Sequence, residues 1–147
     1  TGATVLQPTF LPFITRLLNL AARFTRGYVL LEMGRQNAGL LQGLLERRFF
    51  NVHRFEVKYR SGGVFRPSCL LAAGTAAEFK YEGDPSGTHG LSGLIAALRP
   101  IARPGALILD PCCGKGLTAR AALATGMIFR GCEINEARLL RTIRALG

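Results

Sequence analysis

Apolar positions change their spacing several times along this chain, and each change marks an element. Between Phe10 and Phe24, residues Phe13, Ile14, Leu17, Leu18 and Ala21 recur every three or four positions, the period of one helix face. Gly27 stops that helix, and Tyr28–Met33 follows as an apolar run of strand length, the kind a buried parallel sheet uses. A second helical face, Leu40, Leu41, Leu44 and Leu45, predicts a helix from about Gln36 to Arg48. The period then drops to two. Val52, Arg54, Glu56 and Lys58 alternate with His53, Phe55, Val57 and Tyr59, which predicts a strand near a sheet edge. Ser61-Gly62-Gly63 is a turn, and Pro67–Ala73 is the returning strand of a hairpin.

From Gly74 to Gly90 the chain turns polar, with Gly83-Asp84-Pro85-Ser86-Gly87 at its centre, and reads as a connecting loop. Helical spacing resumes from Leu91 to Ile101 and breaks at Pro104-Gly105. Ala106–Asp110 reads as a buried strand, Leu117–Ala124 as a helix closed by Gly126, Met127–Glu133 as a strand and Asn135–Leu146 as a last helix. Strands that are apolar throughout and alternate with helices argue for an α/β fold with a mainly parallel sheet, here with one antiparallel hairpin. No internal repeat is present.

The length of 147 residues suits one domain. With 48% apolar and 19% charged residues the chain can bury a core, which excludes a disordered class. No uncharged apolar run approaches the roughly 18 residues that span a bilayer, and the first residues lack the pattern of a signal peptide. A cytoplasmic protein with no membrane partner is expected. The formal charge of +10 changes the picture more. Of the 19 basic residues all but Lys58, Lys80 and Lys115 are Arg, whose flat fork suits phosphates and guanine edges, so a nucleic acid is the expected partner. Cysteines at 69, 112, 113 and 132 form no CxxC pair and have only His53 and His89 to complete a zinc site; reduced thiols and no metal are expected.

The candidate chemistry sits where the strand ending in Asp110 runs through Pro111-Cys112-Cys113-Gly114-Lys115-Gly116 into a helix. Glycines there let backbone approach a ligand, and the helix N-terminus offers N–H groups. Glu133 lies at the end of the next strand, where its carboxylate can accept hydrogen bonds from ribose hydroxyls. The pattern points to a nucleoside cofactor. It lacks both GxGxxG and the GK[ST] of a phosphate loop.

Pro104 to Thr118 resembles the cofactor motif of DNA amino-methyltransferases, and Phe129-Arg130-Gly131-Cys132-Glu133-Ile134-Asn135 resembles their next motif, Gly-x-Glu-x-Asn. The resemblance implies a Rossmann-like S-adenosylmethionine (SAM)-dependent methyltransferase fold. Asp110, Pro111, Cys112, Gly114, Gly116 and Thr118 would hold the methionine part, with Glu133 and Asn135 at the ribose. It also implies that Thr88 and His89, ahead of the helix from Leu91, touch the same cofactor. Because other elements precede the Asp110 turn, the chain is similar to the branch of the family with circularly permuted motif order. Its parts would be a catalytic half at 1–75, a connecting loop and helix at 76–103, and a cofactor half at 104–147.

Enzymes of this family carry a polar residue, two prolines and an aromatic at the catalytic turn. The matching stretch is Gln7-Pro8-Thr9-Phe10. The resemblance implies that Gln7 and Pro8 hold the exocyclic amino group of a base while Phe10 stacks on it. Gln7 is longer than the usual Asp or Asn, and Thr9 replaces the second Pro. No insert of target-recognition size follows. Sequence-specific DNA reading would therefore need a second subunit, a recognition segment outside this chain, or the basic surface, for which Arg54, Lys58, Arg60 and Arg66 are the phosphate-contact candidates. The leading expectation is methylation of a DNA base, ahead of RNA. The alternatives are a protein or small-molecule target, and a non-catalytic module binding SAM or nucleic acid.

Overall fold

A computed structural model describes residues 8–147, except for the side chain of Ser61. The elements in order are α1 (Phe10–Phe24), β1 (Tyr28–Gly34), a short 3₁₀ turn (Arg35–Asn37), α2 (Ala38–Glu46), β2 (Phe50–Ser61), β3 (Val64–Gly74), α3 (Gly90–Leu98), β4 (Leu107–Asp110), α4 (Leu117–Ala124), β5 (Ile128–Gly131) and α5 (Glu136–Leu146). The described residues divide into two compact units. One comprises the residues up to Glu56 with Pro67–Glu82, and the other Val57–Arg66 with Gly83–Gly147.

The first unit is built on the helical stripe read from the sequence. Ile14 and Leu18 of α1 meet Leu41 and Leu45 of α2, with Phe49, Leu71 and Ala73, in one buried cluster. Strand order is β1-β3-β2, so β2 is an edge strand, as its period-two alternation predicts. The central strand β3 is buried continuously from Ser68 to Gly74. β1 runs antiparallel to it, from Tyr28 opposite Gly74 to Gly34 opposite Ser68. The expected mainly parallel sheet is corrected here. An apolar run is required wherever a strand is covered, whichever way its neighbour runs, so the apolar character of β1 did not carry direction.

In the second unit α4 packs against α3, β5 and α5. Ala119, Ala121 and Ala122 are fully buried, and their small side chains leave room for close helix approach. β4 and β5 pair in parallel, from Leu107 opposite Ile128 to Asp110 opposite Gly131. This pairing is the parallel element that was expected, but β4 is not a buried strand. Leu107 and Leu109 are 63% and 65% exposed. Alternate residues of a strand point to opposite faces, and the face carrying Leu107 and Leu109 is open.

Candidate functional site

The glycine turn is held by backbone pairing that continues past the strands. Cys132 N–H donates to the Asp110 carbonyl at 3.0 Å, and Cys113 N–H to the Cys132 carbonyl at 3.0 Å. Asp110 and Glu133 thus leave the same edge of two paired parallel strands, the edge at which open α/β sheets bind ligands. The Asp110 carboxylate accepts from the Cys112 amide at 3.0 Å and the Glu133 carboxylate from the Asn135 amide at 2.8 Å. Each bond takes one oxygen and fixes the direction of the carboxylate. Asn135 caps α5 through its own side chain, which accepts from Arg138 N–H at 3.1 Å.

Two glycines in the turn occupy the left-handed region, Gly114 at φ +56° and Gly116 at φ +79°. A Cβ at Gly114 would lie 3.9 Å from Glu133 Oε2, so that carboxylate faces bare backbone. A Cβ at Gly116 would come within 2.5 Å of Thr142 Cγ2. Thr142 is a buried residue of α5 that the sequence reading missed, and its hydroxyl lies 3.1 Å from the Gly114 carbonyl, positioned to donate to it. No signal in the sequence ties positions 114 and 142. Gly131, the glycine of the Gly-x-Glu-x-Asn stretch, has a packing reason to be there: a Cβ would collide with the Phe129 ring.

α4 begins at Leu117, so its first-turn amides face back into the loop, with Thr118 half-buried beside them. Burial, followed by the negative charges of Asp110 and Glu133, pushes the thiols of Cys112 and Cys113 above the usual cysteine range. All four cysteines are free, and the described residues contain no group of three or more side chains able to hold a metal.

The other candidates are placed differently. The Thr88 hydroxyl donates to the Pro85 carbonyl, and the Thr88 carbonyl accepts from Lys58 N–H at 3.0 Å. His89 lies with its ring against Phe65, centroids 4.4 Å apart. The bonds of both residues lead to the β2 edge and the hairpin. Gln7 lies outside the described residues. Pro8 is exposed, and Phe10 opens α1 half-buried against the core of the first unit. Among the basic candidates, Arg54 is engaged by Glu56 at 2.9 Å. Lys58, Arg60 and Arg66 are exposed and make no ion pair among the described residues.

No family model and no curated protein matches the sequence. Solved structures do match in fold. The crystal structure of M1.HpyAVI superposes with a TM-score of 0.70 at 16% identity, covering 96% of this chain and 84% of that one. The M1.HpyAVI–SAM complex gives a TM-score of 0.77 at 15% identity, covering 96% and 85%. This chain therefore shares the α/β fold of M1.HpyAVI.

Proposed function

We propose that this protein is a SAM-dependent methyltransferase acting on the exocyclic amino group of a nucleic-acid base, DNA before RNA. One observation carries the reading: Asp110 and Glu133 leave adjacent parallel strands on either side of a left-handed glycine turn that opens a helix. The fold shared with the M1.HpyAVI–SAM complex supports it, as does the charge of +10. The turn fits the cofactor, because the Glu133 carboxylate faces the Cβ-free backbone of Gly114.

On this reading Glu133 accepts from the ribose hydroxyls, while Asp110, Pro111, Cys112, Gly114, Gly116 and Thr118 surround the methionine part and Asn135 fixes Glu133. When bound, SAM supplies an electrophilic methyl group on a sulfonium. The Gln7 amide oxygen and the Pro8 carbonyl would accept from the amino group, orienting its lone pair, and Phe10 would stack on the base. Such catalysis is mostly positioning. Residues 1–75 then form the catalytic half, 76–103 the connection and 104–147 the cofactor half.

A second reading, a SAM-binding module without turnover, is favoured by the packing of Phe10 on the first unit's core, which gives that ring a structural role. Transfer of labelled methyl from SAM to DNA, RNA or protein separates the two. Turnover on DNA that falls at least about tenfold in Gln7→Ala and Phe10→Ala supports the enzyme. SAM binding with no transfer to any substrate supports the module, and a rate untouched by both variants sinks the catalytic assignment.

A further inference from the structure

The tip of the β2–β3 hairpin turns through Gly62-Gly63, both with positive φ (+58° and +81°), as a tight two-residue hairpin requires. Beside that turn, Phe65 is 48% exposed. Its ring is flanked by two groups, the His89 imidazole at 4.4 Å between centroids and the Arg60 guanidinium at 6.0 Å from the ring centre. Neither neighbour hides it. His89 is held by its backbone: it bridges Lys58 of β2, and its carbonyl accepts from Gly93 N–H and Ser92 Oγ, each at 3.0 Å. The result is an exposed aromatic surface beside the turn, and burial of core does not account for it.

Its charge setting names the occupant. Lys58, Arg60 and Arg66 all lie in the hairpin segment from Val57 to Arg66, which contains no acidic residue. Exposed aromatics interleaved with unpaired cations are how proteins hold unstacked bases, the rings taking the base and the cations the backbone. A base within a duplex offers its edges but not its faces. We propose that Phe65, His89 and Arg60 form a stacking platform for an unpaired nucleic-acid base, with Lys58 and Arg66 contacting the flanking phosphates. The platform rests on the nucleic-acid reading above and extends it, for it selects single-stranded or locally opened substrate.

Fluorescence anisotropy of a labelled single-stranded DNA oligonucleotide and of its duplex, titrated with the full chain, tests this. Wild type should bind the single strand, and Phe65→Ala should weaken that binding about five- to a hundredfold, the usual range for losing one stacked base. Phe65→Leu, which keeps bulk without a ring, should behave like Phe65→Ala, and Phe65→Trp should retain affinity. Thermal unfolding and SAM binding of the Phe65 variants serve as the fold check. If wild type binds and Phe65→Leu binds equally well while Arg60→Ala loses affinity, the tip is a phosphate contact only and the platform is overturned. If wild type binds neither oligonucleotide, the nucleic-acid reading itself fails, and the platform with it.

Discussion

Gly116 joins two demands at one residue. Its left-handed φ starts α4, and its missing side chain admits Thr142, whose hydroxyl is within donating distance of the Gly114 carbonyl. Gly116→Ala should therefore cost about 1–2 kcal/mol for the conformation alone, with more for displacing Thr142. Urea denaturation measures this, and unchanged stability would contradict the packing described. Thr142→Val keeps the shape and removes the hydroxyl, so a smaller loss of about 1 kcal/mol is expected. Cys112 gives a test of the charge around the turn. Partial burial, then Asp110 and Glu133, disfavour the thiolate, so the pKa moves up and alkylation at neutral pH should be slower than for a free cysteine. Its rate should keep rising with pH beyond the ordinary thiol range, and added SAM should protect it. Peptide-resolved mass spectrometry after iodoacetamide pulses follows both. Asp110, Gly114, Gly116 and Glu133 were legible in the sequence because glycines between a strand and a helix, with an acid one strand later, are a local pattern. The Thr142–Gly114 and Phe65–His89 contacts were not, because they exist only once the chain has folded.

At the scale of elements, the periodicities were accurate about type and less informative about surroundings. The stripe Phe13, Ile14, Leu17, Leu18 and Ala21 marked α1 and its buried face, except that Phe13 itself is 51% exposed, and alternation placed β2 at an edge. Apolar runs misled in two ways. β1 reads as a parallel strand yet pairs antiparallel with β3, since hydrophobicity records covering and not direction. β4 reads as buried yet leaves Leu107 and Leu109 exposed. The contrast predicts unequal mutational costs. Leu71→Ala, in the fully buried part of β3, should lose about 2–5 kcal/mol. Leu107→Ser should stay within about 0.5 kcal/mol of wild type, as exposed substitutions usually do. Equal losses in chemical denaturation would show that the β4 face is covered after all.

Across the whole molecule, the chain passes between the two units at three points. Two lie within the β2–β3 hairpin, between Glu56 and Val57 and between Arg66 and Pro67, where no shift in composition marks them; the third lies between Glu82 and Gly83, where the polar stretch Gly83-Asp84-Pro85-Ser86-Gly87 does. The glycine turn after Asp110 and the basic hairpin tip belong to the same unit. Charge was legible from the start: +10, almost all Arg, with Lys58, Arg60 and Arg66 standing exposed. The proposed methyltransferase function depends on the turn at Asp110 accepting SAM. Calorimetric titration of the full chain with SAM, beside Asp110→Ala and Glu133→Ala, tests that most directly. Wild type should bind saturably, with affinity weakened about ten- to a hundredfold in Glu133→Ala, the worth of hydrogen bonds to a charged group, and at least as far in Asp110→Ala. A folded wild-type chain that takes up no SAM, or variants that bind as tightly as wild type, would contradict that reading.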